Sequence, residues 1–203
     1  VKMKIIFFSD IHGNNHSFNA FIKDISRQQG QYELVFLGDF VGYYYGANEI
    51  ISYCREKNIS CILGNNDNYF LNILDGKLNL ETVIKKYGRS YDIALRTISK
   101  ENIKFLRQLD KNKILISDNK KVYICHGSPL NHLEGRIYPD TDLSLFEASV
   151  EGFDYVVTGQ THHKMDKRYC STIFLNPGSL GQQRDGKGCS YMTLDLEQDT
   201  YSF

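Results

Sequence analysis

The chain has 203 residues, long enough for one substantial hydrophobic core and short for two, so a single domain over residues 1–203 is expected. Its 24 Lys and Arg against 24 Asp and Glu leave no net charge, and nothing in that balance indicates a nucleic-acid partner. With 41% hydrophobic residues and no run near the roughly 20 apolar residues that cross a bilayer, the composition is that of a soluble globular protein without a membrane span.

Val1-Lys2-Met3-Lys4 leads straight into a strand rather than a signal peptide, which predicts a cytoplasmic location. Ile5 to Phe8 is a continuous apolar run of the kind found in strands covered on both faces. Phe18, Phe21, Ile22 and Ile25 then recur at helical spacing up to Gly30, a candidate left-handed stop. Leu34 to Leu37 reads as a second strand, Ala47 to Cys54 as a helix, and Ser60 to Leu63 as a third strand. The order β-α-β-α-β predicts a largely parallel sheet with helices against it.

From Asn68 to about Lys111 the periodicity is helical and no ligand cluster stands out, so this stretch is expected to cover the core, with a share in substrate access as a further role. Lys113 to Ile116 and Val122 to Cys125 flank a turn and predict an antiparallel hairpin. Leu130 to Asp142 reads as a long surface loop, and Leu143 to Val150 as a short helix. Further strands are expected at Tyr155 to Thr158, Thr172 to Leu175 and Tyr191 to Leu196. Because these follow one another without helices between them, a second, mixed sheet stacked on the first is expected.

Asp10, His12, Asp39, Asn65, His126 and His162 each follow an apolar run or sit in the glycine-bearing turn after one. All offer oxygen or imidazole donors suited to divalent Mn, Fe, Zn or Mg. Singly, each has an ordinary alternative: a helix cap, a turn residue, or a hydrogen-bonded core histidine. Together, at five strand ends, they point to one shared site in the crevice beyond the strands. The five cysteines, Cys54, Cys61, Cys125, Cys170 and Cys189, are odd in number and form no C-x-x-C pair, so they read as buried small hydrophobes. Asp185-Gly186-Lys187-Gly188 lacks the spacing of a P-loop.

The blocks Asp10-Ile11-His12, Gly38-Asp39, Gly64-Asn65-Asn66-Asp67, His126-Gly127 and Gly159-Gln160-Thr161-His162 resemble, in order, those of the calcineurin-like metallophosphoesterase superfamily. Flanks such as His126-Gly127-Ser128-Pro129 and Asn176-Pro177-Gly178-Ser179 are similar to its small bacterial and archaeal phosphodiesterase branch, typified by YfcE. The resemblance implies a four-layer α/β/β/α sandwich of two stacked mixed sheets. It also implies a pair of divalent metal ions, manganese foremost with Fe, Ni, Zn or Mg as alternatives. Asp39 would bridge them, Asp10, His12 and His162 would complete one site, and Asn65 and His126 would hold the other with Gln160. The family has histidine where Gln160 stands, so the second ion is expected to bind more weakly.

The implied activity is hydrolysis of a small phosphoester or nucleotide-type substrate, foremost a phosphodiester, by in-line attack of a metal-bridging hydroxide between ions roughly 3.5–4 Å apart. Asn66, Asp39 and His126 would be the catalytic residues, with Asn14, Asn66 and His163 near the substrate; capping the following helix is the alternative for Asn14, and a surface position or metal ligation for His163. Asn66 stands where many members of the family have histidine and this branch often has cysteine, and it cannot act as a general acid near neutral pH, so esters with poor leaving groups should suffer most and aryl esters or nucleotide anhydrides least. Arg136 and Arg184 are expected at the solvated surface, with contact to phosphate as the alternative. The alternative is a catalytically weak protein of the same fold acting as a binding or scaffold module; oligomeric state is left open.

Overall fold

The computed structural model describes residues 4–28 and 30–203, so the expectation for Val1 to Met3 lies outside the described residues. The first sheet is built on β1 (Lys4–Phe8), β2 (Tyr32–Phe36) and β3 (Ser60–Cys61), which run parallel. Its other side is closed by β9 (Met192–Asp195) and β10 (Thr200–Ser202), antiparallel beside β1. The second sheet has the order β4 (Asn112–Ser117), β5 (Lys120–Cys125), β6 (Tyr155–Val157), β8 (Thr172–Pro177), β7 (Lys164–Tyr169). Its middle strands β5, β6 and β8 are parallel, while β4 and β7 flank them in the opposite sense.

Period-two alternation distributes the apolar side chains between layers. Ile5 and Phe7 of β1 lie between the sheets with Val35, Ile124, Val157 and Leu175. Ile6 and Phe8 face the other way, under helices α1 (Asn15–Ile25) and α2 (Ala47–Glu56), among Phe18, Phe21 and Ile50. The same layer takes in α3 (Asn65–Leu74), α4 (Leu80–Tyr87), α5 (Ser90–Thr97) and α6 (Lys100–Arg107), which enter it through Phe70, Val83, Tyr91 and Leu106. Beyond the second sheet, a 3-10 turn (Leu143–Phe146) and α7 (Glu147–Val150) pack Phe146 and Val150 on Val156 and Phe174. The result is the expected four-layer α/β/β/α sandwich.

The structure departs from the sequence reading at four points. The final strands were expected to follow into the second sheet, but β9 and β10 return to the first, where Met192 and Leu194 fill the space between the sheets. Strand β7 has no apolar run to announce it: of Lys-Met-Asp-Lys-Arg-Tyr only Met165 is buried, and its pairing with β8 makes it a strand. Helix α1 ends at Ile25, before Gly30, and of the cysteines only Cys54, Cys61 and Cys125 are buried; Cys170 and Cys189 are exposed. Among the described residues no helix is long and apolar enough to cross a membrane.

Candidate metal centre

The parallel strands end at one edge of the sandwich, and the turns that leave them carry the donors. Asp10 and His12 follow β1, Asp39 follows β2, Asn65 opens α3 after β3, His126 follows β5, and Gln160 and His162 follow β6. Five of these residues have left-handed backbone: Asp10 (φ 53), His12 (φ 50), Asp39 (φ 71), Gln160 (φ 67) and His162 (φ 59). Such conformations cost roughly 1–3 kcal/mol each outside glycine and persist only where neighbouring structure holds them. Cross-loop bonds supply that restraint: the Asp10 N–H donates to Gly38 O at 3.1 Å, and the His12 N–H to Asp39 O at 2.9 Å. Gly64 permits a close approach, since a Cβ there would fall 2.1 Å from Asp39 Oδ1.

Asp67 organises this edge and was given no role from sequence. Its buried carboxylate accepts the N–H groups of Asp39 (2.9 Å), Val41 (3.0 Å) and Gly64 (3.1 Å), tying the loop after β2 to the start of α3.

The three histidines share one arrangement. His12 Nδ1 lies 2.8 Å from Val41 O, His126 Nδ1 lies 2.8 Å from Leu37 O, and His162 Nδ1 contacts Gln182 O. A carbonyl only accepts, so each Nδ1 carries the proton and each Nε2 is directed at the centre. There His12 Nε2 stands 3.2 Å from His162 Nε2, His162 Nε2 3.3 Å from Asp10 Oδ1, and His126 Nε2 3.4 Å from Asp39 Oδ2. Two sets, Asp10 with His12 and His162, and Asp10 with Asp39 and His126, bring their donor atoms within 4.8 Å of one another, all buried. Asn65 Oδ1 lies 3.0 Å from His126 Nε2. Asp10 Oδ1 and Gln160 Oε1 are buried without a hydrogen-bond partner, a costly state unless a cation completes them. Facing imidazole lone pairs and orphaned oxygens are the donor set of a divalent-ion site, so the residues present fit such ions.

Electrostatics agree with a site shaped for positive charge. Burial would raise Asp10, but His162, with His126 and His12, outweighs it and holds the carboxyl well below the usual range. Asp39 is likewise lowered, burial being outweighed chiefly by His126. Burial drives His12 down to about 4 against the pull of Asp39. For His126 burial loses to Asp39 and the pKa is pushed up to about 10, so a proton occupies the centre when no metal does. Burial, and then Asp39, push Asp67 up to about 7.

Above the cluster lies a cleft of about 110 Å³ lined by Asp39, Asn65, Asn66, Gln160 and His162, together with Tyr43, Lys86, Tyr87, Arg136 and Arg184. A depression of about 590 Å³ beside α7 is larger, but neither histidine nor aspartate lines it. Arg136 and Arg184, expected at the surface with a phosphate contact as the alternative, are exposed and also line the cleft. The helical cover, expected to hold no ligand cluster, contributes Lys86 and Tyr87. It also contributes Tyr91, whose hydroxyl donates to Asn66 Oδ1 at 2.6 Å. Asn66 in turn donates from Nδ2 to Asp39 Oδ2 at 2.7 Å and from its backbone N–H to Asp39 Oδ1 at 2.8 Å.

Asn14 is not brought to the cleft. Its Oδ1 caps α1 through the Ser17 N–H at 3.2 Å and its Nδ2 donates to Gly181 O at 3.0 Å, so both polar ends serve structure. His163 also stands outside the lining residues, with Nδ1 2.6 Å from Thr161 O and its ring edge-on to Tyr138. The signal missed in Lys86 and Tyr91 is a spatial one: each lies in a segment without a motif.

The sequence model of the calcineurin-like phosphoesterase superfamily domain matches residues 3–199. The chain belongs to that superfamily. An uncharacterized protein of Methanocaldococcus jannaschii is 33% identical to this phosphoesterase-family chain over 219 residues, covering 96% of it and 84% of the relative. In fold, the calcineurin-like chain is similar to a metallophosphoesterase from Sphaerobacter thermophilus, with TM-score 0.77, 21% identity, and coverage of 99% and 86% of the two chains. It is similar as well to YfcE, a phosphoesterase from E. coli, with TM-score 0.58, 18% identity, and coverage of 96% and 89%.

Proposed function

We propose that this calcineurin-like chain is a metal-dependent phosphoesterase, foremost a phosphodiesterase, holding two divalent ions with manganese preferred. Asp10, His12 and His162 would hold one ion, Asn65, His126 and Gln160 the other, with Asp39 between them. When bound, such ions polarise phosphoryl oxygens and lower the pKa of water, making a nucleophile available at neutral pH. The observation that carries the reading is the convergence of three Nε2 atoms, each set by an Nδ1–H bond to a backbone carbonyl, on the partnerless Asp10 Oδ1.

The chain's own residues divide the remaining work. The backbone and side-chain amides of Asn66 hold both oxygens of Asp39, fixing the carboxylate that would lie between the ions. Asn66 lines the cleft but offers no acidic proton, so it cannot protonate a leaving group. The buried walls around Asp10, His12 and His126 keep bulk water from competing with the ligands.

The test is metal analysis of the purified protein combined with hydrolysis of bis(p-nitrophenyl) phosphate in Mn, Mg, Ni and Zn. Bound metal near two equivalents and turnover abolished by Asp39→Asn are expected. Neither metal nor turnover in any of the four would refute the enzyme and favour a scaffold.

A further inference from the structure

The cleft carries more positive charge than a simple phosphodiester requires. Lys86 from α4, Arg136 from the loop after β5 and Arg184 from the loop before β9 meet at its walls. Elsewhere several surface cations find carboxylates: Arg107 pairs with Asp75 at 2.6 Å, Arg96 with Asp92 at 2.8 Å, and Lys120 with Asp199 at 3.1 Å. Among the described residues none of the three cleft cations has such a partner, and the one carboxylate in the lining, Asp39, belongs to the metal centre. Two of them are nonetheless oriented. Arg184 donates to the Tyr43 hydroxyl at 2.8 Å and to Gln182 Oε1 at 2.9 Å, and Lys86 Nζ sits 4.9 Å from the centre of the Tyr87 ring.

A second observation concerns the leaving group. His162 has both ring nitrogens engaged and Asp39 has both oxygens held by Asn66 within the metal centre; the remaining lining residues are amides, phenols and cations, with no carboxylic acid or free imidazole to give up a proton near neutral pH. Tyr91 is fully buried and its hydroxyl is committed to Asn66, which removes it from the cleft. An alkoxide expelled here would leave unprotonated. A phosphate, with a second pKa of about 6, needs no proton to depart.

We propose that the favoured substrate is a phosphoanhydride: the phosphorus attacked has two bridging oxygens, and one of them leads to a further phosphate that Lys86, Arg136 and Arg184 bind as it leaves. This rests on the phosphoesterase reading above and narrows it, since such a phosphorus is doubly bridged like that of a phosphodiester. The oxygen of water bonds to phosphorus, the anhydride P–O bond breaks, and its electron pair stays on the departing phosphate. The protons of water pass to the new phosphate and to solvent. At about 110 Å³ the cleft holds roughly four waters' volume, room for phosphoryl groups, with the organic part lying across the open mouth.

The test compares ATP with bis(p-nitrophenyl) phosphate as substrates of the Mn-loaded protein, and α,β-methylene ATP with AMP as competitive inhibitors of the diester reaction at constant free Mn. ATP should yield AMP and pyrophosphate with kcat/KM at least about 100-fold above the diester, and the methylene analogue should inhibit at least about 100-fold more tightly than AMP. Each of Lys86→Ala, Arg136→Ala and Arg184→Ala should lower both ratios about tenfold, the size of one charged contact at 1.4 kcal/mol per factor of ten. Turnover of the diester without ATP cleavage, or an analogue no tighter than AMP, overturns the phosphoanhydride proposal and leaves the phosphoesterase standing. Ratios unmoved by all three substitutions overturn the role of the cations. Loss of turnover on both substrates in every metal sinks the parent reading instead.

Discussion

Replacing Asp67 by Asn tests how the metal-binding loops are held, using a residue that is itself no ligand. Asp67 Oδ2 accepts the N–H groups of Asp39 and Gly64, and Oδ1 accepts that of Val41. The substituted amide can turn its one oxygen toward the Asp39 and Gly64 pair, but its NH2 then faces the Val41 N–H, donor against donor. The two retained bonds become neutral and roughly half as strong, and one buried donor is left unpaired at a cost of about 1–3 kcal/mol. Relief from burying a charge offsets part of this, so the net loss should be about 2–4 kcal/mol, a large share of the roughly 5–15 kcal/mol typical of a folded protein. The assay is urea unfolding of metal-free protein at pH 8, above the value of about 7 to which burial and Asp39 push the Asp67 carboxyl. Amide exchange at Val41 should rise in parallel, and metal affinity should weaken as the Asp39 loop loosens. A stability change under about 1 kcal/mol with Val41 exchange unaltered would refute the argument, because a buried N–H cannot lose its acceptor without cost.

Other consequences are as direct. Metal binding should release about one proton at pH 8: His126, pushed up to about 10, holds a proton the ion must displace, whereas His12, pushed down to about 4, holds none. Apparent affinity should therefore rise with pH below 10, by about tenfold per unit for one proton, and calorimetry in buffers of different ionisation enthalpy would contradict this by giving one common heat. Asn66→His should restore a general acid, speeding hydrolysis of alkyl diesters by at least about tenfold while aryl diesters change little; an unaltered dependence on leaving group would exclude it. Tyr91→Phe should cost about 1–3 kcal/mol in urea unfolding by leaving Asn66 Oδ1 buried and unpaired, and should lower kcat more than it raises KM; a loss of stability with kcat intact would make Tyr91 purely structural.

Much of this protein is written locally. Apolar runs at Ile5 to Phe8 and Val122 to Cys125 announce strands, and each stops at a polar donor because a strand end is where the backbone leaves the sheet and side chains can meet a ligand. The kinds of donor, their order along the chain and the layered architecture follow from such signals. Tertiary structure alone decided the rest. The carbonyls of Leu37, Val41 and Gln182 that set the histidine tautomers are backbone atoms, present at every position and recognisable only by where they stand. The positive φ angles of Asp10, His12 and His162 are unreadable in residues that ordinarily avoid them, since bonds from other segments hold them there. Lys86 and Arg136 look like any surface cations until the fold brings helix and loop to one cleft, and β9 carries a strand's pattern without naming β1 as its partner. Periodicity records which face of an element is covered; only the packed chain records what covers it.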